Sequence, residues 1–154
     1  MSDLGGFEGM TGAIHIVPVD AIEELSFRVD GIPIPQGSKK GFIVKKRVVI
    51  VDDNAETLKP WRAKVRDVAE TALAGRPGFT DAVSVHLDFY MPRGKTVTRP
   101  RPSVKPDADK LTRAIFDSLT DSGVLKDDGL VVSLHAEEWY ADDEPFVDVK
   151  VRLL

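Results

Sequence analysis

The amino-acid sequence predicts one α+β domain, in which two main helices pack on a mixed β-sheet. Three observations lead to this fold class: segments of alternating apolar and polar residues, two segments with helical spacing, and the order β, ββ, α, β, α, ββ. The 154 residues are enough for one domain with a sizeable core. We assign residues 1–22 to a flexible N-terminal segment, because glycines are spread through it, and residues 23–154 to the folded domain.

The first half of the domain is predicted to contain a strand, a loop, a hairpin and a helix. Residues 25–29 alternate apolar and polar side chains, which indicates a strand. Two prolines and three glycines over 31–41 favour a loop. β-Branched residues on both sides of a basic centre predict a hairpin over 42–51. A helix is expected over 60–75, with a proline in its first turn and a glycine after its last turn.

The second half is predicted to contain a strand, a basic loop, a second helix and two closing strands. Residues 83–89 alternate strictly, which is typical of a half-buried strand. The segment 92–106 has four prolines and five basic residues, which favours a solvated loop. A helix over 110–119 is followed by strands over 130–139 and 146–153. The predicted buried stripe of this helix consists of Leu111, Ala114, Ile115, Ser118 and Leu119.

Composition excludes several classes of protein. The chain has no cysteine, which excludes a disulfide framework and cysteine-ligated zinc. Its three histidines lack the spacing of a metal-binding motif. No apolar run approaches membrane-spanning length, and the N-terminus lacks the regions of a signal peptide, so we expect a cytoplasmic protein with no membrane partner. The net charge of −4 argues against a general nucleic-acid coat protein, but the charges are unevenly placed.

Two acidic pairs flank the second predicted helix. Asp107 and Asp109 lie in a segment that the preceding proline keeps extended, where residues two apart point the same way. Asp127 and Asp128 follow the helix, and since adjacent residues of extended chain face opposite ways, we expect Asp128 to meet a metal ion and Asp127 to support it. Converging carboxylates are the ligands that Mg²⁺ prefers. Arg113, four residues after Asp109, can hold that carboxylate or contact a phosphate.

This acidic pattern predicts a metal-dependent phosphodiesterase. Phosphodiester hydrolysis builds negative charge on oxygen, and one or two Mg²⁺ ions at Asp107, Asp109 and Asp128 can stabilise that charge and activate water. No side-chain nucleophile is required, which agrees with the absence of cysteine. A simpler interpretation stays open, because a single aspartate before a helix is often only a cap and the sequence DDG is often only a turn.

Basic residues surround the acidic pairs and are candidates for binding DNA. Lys39 and Lys40 lie on the predicted glycine-containing loop, where the backbone can approach a phosphate closely. The loop 92–106 leads directly into Asp107, so DNA attracted there arrives at the carboxylates. The simpler alternative for both segments is a solvated surface. The basic residues of this second loop are Arg93, Lys95, Arg99, Arg101 and Lys105.

The combined motifs resemble the RusA family of Holliday-junction resolvases. The segment PDADKL at 106–111, with FD at 116–117 and DDGLVV at 127–132, is similar to the family pattern D-x-D-N-L-x-K followed by D-D-x-x-V. The segment GIPIPQGSK at 31–39 resembles the G-x-P-x-P-Q-G-S-K of the family's phage and actinobacterial branch. The resemblance spans roughly residues 25–153. It implies a Mg²⁺-dependent endonuclease, with Mn²⁺ as a substitute, that cuts four-way DNA junctions as a homodimer in recombination and repair.

The resemblance also implies roles for single residues. The family's essential carboxylates match Asp107, Asp109 and Asp128, and its catalytic-site lysine matches Arg113. The asparagine of the family pattern is replaced by Lys110, which adds positive charge beside the metal. Arginine supplies charge but cannot release a proton as lysine can, so junction selectivity is in question. We expect Asp117, one turn after Arg113, to orient its guanidinium without binding metal.

Three other functions remain open from the sequence. A less selective Mg²⁺ nuclease acting on flaps or other branched DNA would use the same carboxylates. A catalytically weak junction-binding protein is opposed by the three intact aspartates, Asp107, Asp109 and Asp128. A Ca²⁺-stabilised structural domain would leave the basic loop unexplained, and the site lacks the spacing of an EF-hand loop.

Overall fold

The structure, a computed structural model, describes residues 21–37, 39–52 and 54–154. Residues 1–20, and with them most of the predicted flexible segment, lie outside the described part, so that assignment stays a prediction. Among the described residues, no helix has both the length and the apolar composition needed to cross a bilayer. The elements are β1 (Glu24–Asp30), β2 (Lys39–Val44), β3 (Arg47–Asp52), α1 (Ala55–Leu73), β4 (Val83–Met91), α2 (Ala108–Asp121), β5 (Val131–Tyr140) and β6 (Phe146–Leu153), with a short 3₁₀ turn at Asp128–Leu130.

Four strands form one mixed sheet, in the order β1-β6-β4-β5, and β2 and β3 form a separate hairpin. β4 pairs antiparallel with β6 and parallel with β5. A parallel pair requires a crossover connection, and α2 supplies it between β4 and β5. The predicted α+β class is therefore confirmed. The two closing strands do not pair with each other, because β4 lies between them.

The core lies between the sheet and the two helices. The helices contact each other, and they pack on β1 and β5. The alternation predicted for β4 is confirmed, since Val83, Val85, Leu87 and Phe89 are all buried. The predicted stripe of α2 is also buried throughout. Each fully buried aliphatic side chain contributes about 1.5–3 kcal/mol relative to an exposed one, so this stripe fixes the orientation of α2 on the sheet.

Two predicted boundaries are wrong. α1 begins at Ala55, five residues before the predicted start, and Pro60 lies inside the helix. Proline there removes one backbone hydrogen bond, but burial of Leu58 and Trp61 on either side of it holds the turn against the core. The hairpin begins at Lys39, so Lys39 and Lys40 lie in β2 and not in the preceding loop.

A short parallel bridge fixes the segment that leads to the second acidic pair. Phe79 pairs with Leu125. The Phe79 amide donates to the carbonyl oxygen of Val124 at 2.8 Å, and the Lys126 amide donates to the carbonyl oxygen of Phe79 at 3.1 Å. Gly78 lies directly against this bridge, since a Cβ atom built on it would stand 1.9 Å from the carbonyl oxygen of Gly123. The close backbone approach therefore requires glycine at position 78.

The substitution Gly78→Ala is expected to destabilise the domain by about 1–3 kcal/mol, because the new methyl group meets backbone that cannot move alone. Gly94→Ala is the matched control, since the nearest atom to its new Cβ lies at an ordinary 3.4 Å. Urea denaturation of both variants measures the difference. Equal stability of the two variants would contradict the account of the bridge.

Candidate active site

The N-terminus of α2 holds the first acidic pair. Asp107 is the N-cap residue, with the extended backbone angles φ −77° and ψ 143° that the sequence predicts after a proline. Its backbone carbonyl accepts from the Leu111 amide at 3.1 Å, while its side chain makes no capping hydrogen bond. Asp109 lies in the first turn of α2, which begins at Ala108 and not at 110, so the prediction that an extended segment points both carboxylates the same way is wrong. Both carboxylates are exposed, at a helix N-terminus whose free N–H groups attract anions.

The second acidic pair divides into a capping residue and an exposed one. A side-chain oxygen of Asp127 accepts a hydrogen bond of 2.7 Å from the Gly129 amide and caps the 3₁₀ turn. Asp128 is the first residue of that turn, and its carboxylate is exposed. Asp127 is thus occupied as a cap, and the assignment of Asp128 as the metal ligand stays a prediction.

Two adjoining cavities bring the central site residues together. The larger, of about 540 Å³, is lined by Asp109, Arg113 and Asp128, with Phe116 and Leu134 among its apolar walls. The smaller cavity, of about 370 Å³, adjoins the larger one along α2. Asp109 and Arg113 line both. The lining of the smaller cavity consists of Gln36, Gly37, Asp109, Lys110, Arg113 and Asp117.

Asp107 lines a third cleft of about 510 Å³, which adjoins the smaller cavity at Lys110. The structure thus places Asp109 and Asp128 on one cavity, whereas Asp107, at the start of the same helix, lines a different cleft. Within the described part of the chain, no group of three or more His, Asp or Glu side chains is arranged to hold a metal ion.

Glu138 is a further acidic residue of this region that the sequence analysis did not select. Partial burial, and next the negative charge of Asp107, raise the pKa of Glu138 to about 7. Its Oε1 atom is buried and has no hydrogen-bond partner among the described residues. The predicted alternation of the strand could have found it, because Glu138 shares a face with Leu134 and Ala136, which line the cavity of Asp109.

The residues present fit a hard divalent cation by their donor chemistry. All the candidate ligands are carboxylates, and oxygen donors are what Mg²⁺ selects. The carboxyl groups of Asp107 and Glu138 lie close enough for one to raise the pKa of the other, and Glu138 Oε1 is buried without a partner. A cation between such groups would relieve the repulsion and satisfy that oxygen.

Asp117 is held between two arginines. Burial raises the pKa of the Asp117 carboxyl, while the positive charges of Arg62 and, to a smaller extent, Arg113 oppose that rise. Its Oδ2 atom lies 3.7 Å from Nη1 of Arg62, whose Nη2 donates to Asp121 at 3.0 Å. Arg62 therefore ties α1 to α2 behind the site, and the field of Asp117 reaches Arg113 across one helical turn.

The arginines of the basic loop dock that loop on β5. The guanidinium of Arg101 lies 3.3 Å from the centre of the Trp139 ring and 3.1 Å from the Glu137 carboxylate. Arg93 and Arg99 both lie over the ring of Tyr140. These three side chains have a structural role in addition to any contact with DNA. The other basic residues predicted in this segment, Lys95 and Lys105, are exposed.

The comparisons with known proteins agree with the sequence motifs. Residues 30–152 match the family model Endodeoxyribonuclease RusA. The matched range contains both acidic pairs, Arg113 and every strand from the end of β1 to β6, so the resemblance seen in the motifs is confirmed. No curated protein matches the chain at a significant level.

The raised pKa of Glu138 predicts how stability depends on pH when divalent ions are chelated. The folded protein holds a proton on Glu138 up to about pH 7, whereas the unfolded chain loses it near the ordinary value of 4.5. Stability should therefore fall as the pH rises between these two values. In Glu138→Gln that part of the decline should disappear, as measured by urea denaturation in EDTA from pH 4.5 to 8.

The control for this prediction is Glu144→Gln, which removes an exposed carboxylate in the loop before β6. It should retain the pH dependence of the wild-type protein. A Glu138→Gln variant whose stability follows the wild-type curve at every pH would show that the carboxyl is not perturbed.

Proposed function

The chain belongs to the RusA family of endodeoxyribonucleases, and on this premise we propose that it resolves four-way DNA junctions by paired, Mg²⁺-dependent nicks. As a family member it is a hydrolase that acts on the phosphodiester bonds of DNA. The observation that supports the finer proposal is the single cavity lined by Asp109, Arg113 and Asp128. Two carboxylates that can bind a metal ion and the positively charged guanidinium of Arg113 meet there, which suits phosphodiester cleavage.

We infer that Asp107, Asp109 and Asp128 hold the divalent ion, which is Mg²⁺ or, as a substitute, Mn²⁺. The side chain of Asp107 is not used as a helix cap, and the carboxylates of Asp109 and Asp128 are exposed, so all three are available as ligands. A bound Mg²⁺ would stabilise the charge that develops on phosphate oxygen and lower the pKa of the attacking water. Glu138, beside Asp107, adds a fourth carboxyl to this region.

Arg113 acts on the phosphate in this proposal. It lies on the same helical face as Asp109 and lines both adjoining cavities, so a phosphate in either can be reached. The planar guanidinium binds two phosphate oxygens at once and stays charged at every accessible pH. Asp117, one turn further along α2, attracts that guanidinium through its charge, and we propose that this attraction orients it toward the site.

The basic residues position the DNA. Lys105 and Lys110 line the cleft that contains Asp107, so phosphates on both sides of the scissile bond can be neutralised beside the carboxylates. Lys95, and Lys39 and Lys40 in β2, extend this footprint. Paired nicks require two such sites, so we propose that the enzyme acts as a homodimer, in the cytoplasm where its DNA substrate is found.

A second candidate function is a nuclease with relaxed selectivity for flaps and other branches. It is favoured by two departures from the family pattern, Arg113 in place of lysine and Lys110 in place of asparagine. Both substitutions keep or add positive charge, which strengthens phosphate binding without regard to the shape of the DNA. Cleavage of synthetic four-way, flap and linear DNA in Mg²⁺, each with an EDTA control, separates the two functions.

Asp109→Asn is expected to abolish cleavage of a four-way junction while binding stays equal or becomes tighter. The change removes a metal ligand and one negative charge facing the DNA, and it keeps the shape of the side chain. Gel-based cleavage in Mg²⁺ and a binding titration in EDTA measure the two effects. Asp81→Asn, an exposed aspartate before β4, should change neither. Wild-type cleavage by Asp109→Asn would contradict the metal assignment.

Arg113→Ala should slow single-turnover cleavage by about 10²–10³-fold, because it removes a positive charge aimed at the transition state. Arg113→Lys restores the family residue and should recover most of the rate. If neither substitution alters the rate, Arg113 has a structural role only.

A further inference from the structure

We propose that the cleft beside Asp107 accepts one unstacked nucleobase of the bound DNA, which the enzyme then reads by its shape. This inference rests on the proposed function, since the substrate is a DNA junction. It assigns to this cleft the recognition of a single nucleotide next to the scissile bond. The cleft is lined by the loop 32–37, Asn54, Met91, Pro92, Lys105, Pro106, Asp107 and Lys110.

The walls of the cleft match the flat faces of a base. They are formed by prolines and aliphatic side chains, and the volume of about 510 Å³ is large enough for one nucleoside. Bases taken out of a helical stack are held between apolar or aromatic groups of this kind. The apolar wall residues are Ile32, Pro33, Ile34, Pro35, Met91, Pro92 and Pro106.

The cleft is held open by hydrogen bonds from three directions. The Gln36 amide donates to the carbonyl oxygen of Lys110 at 2.9 Å, which fastens the loop to α2. The side-chain amide of Asn54 donates to the carbonyl oxygen of Pro35 at 2.8 Å, and the Gly31 amide donates to that of Pro145 at 3.0 Å. A cavity formed in advance of binding loses little conformational entropy when a ligand enters.

The polar groups of the cleft suit a nucleotide rather than a purely apolar ligand. Lys105 and Lys110 supply positive charge for the phosphates on either side of the base, and Asp107 connects the cleft to the proposed cleavage centre.

The occupant is supplied by the geometry of a branched substrate. Nucleotides at the point of strand exchange have lost part of their stacking, so one of them leaves the helix at a smaller cost in free energy than a base within a duplex. A base in this cleft would hold the neighbouring phosphate at Asp107. The cleft therefore couples recognition of the branch to the position of the cut.

The first test uses binding without cleavage. Four-way junctions with 2-aminopurine at successive positions around the exchange point are titrated with wild-type protein in EDTA. The inference predicts that fluorescence rises at one position as that base unstacks. Binding with no rise at any position would overturn the inference. A wild-type protein that binds no junction would overturn the proposed function itself, and the inference with it.

The second test asks whether the cleft selects the base. Junctions that carry each of the four bases at the position found above are cleaved in Mg²⁺, and we expect the best and worst bases to differ about tenfold in rate. Ile32 is 52% exposed at the mouth of the cleft, so Ile32→Trp fills the mouth without disturbing the core. This variant should cleave more slowly, with rates that no longer depend on the base.

The matched control is Leu154→Trp, which changes an exposed aliphatic residue at the end of the chain in the same way. It should keep the wild-type preference. Asn54→Leu provides a second variant, since it removes the hydrogen bond to Pro35 that holds the wall of the cleft and should also flatten the preference. Retention of the full preference by both Ile32→Trp and Asn54→Leu would overturn the inference even if the enzyme cleaves junctions normally.

Discussion

The crowding of carboxylates around α2 is the feature on which the rest of the site depends. Burial, and after it the charge of Asp107, raises the pKa of Glu138; burial also raises the pKa of Asp117, with smaller contributions from Asp121 and Asp128. Like charges are placed this close when something else in the site offsets them. The helix N-terminus and Arg113 offset part of the repulsion, and a divalent cation would offset more. In our account this unbalanced negative charge is what binds Mg²⁺, and the surrounding lysines bring DNA to it.

The crossover between β4 and β5 explains how distant aspartates meet. The two acidic pairs lie at opposite ends of α2, whose 14 residues extend about 21 Å. The second pair can approach the first only because the chain turns back after the helix. The bridge between Phe79 and Leu125 fixes that return, and the 3₁₀ turn then directs Asp128 to the cavity that Asp109 lines. The bridge that stabilises the segment after α2 therefore also sets the position of Asp128 in the site.

Local patterns predicted the elements, but not how they assemble. The alternation in β4 and the apolar stripe of α2 depend only on which residues are buried. The spacing of apolar residues along the sequence indicates this burial directly. The start of α1 cannot be read from the sequence, because proline favours the first helical turn and packing of Trp61 overrides that preference at Pro60. The neighbours of Glu138 depend on contacts between α2 and an edge strand, which spacing along the sequence does not reveal. For the same reason the docking of Arg101 on β5 was not foreseen.

The most direct test of the central claim is a crystal structure of the protein grown with Mn²⁺, whose anomalous scattering identifies the ion. The account predicts a manganese ion at ligand distance, about 2.0–2.4 Å, from carboxylate oxygens of Asp107, Asp109 and Asp128. Side chains that point to separate parts of the surface, with no ion between them at saturating Mn²⁺, would contradict it.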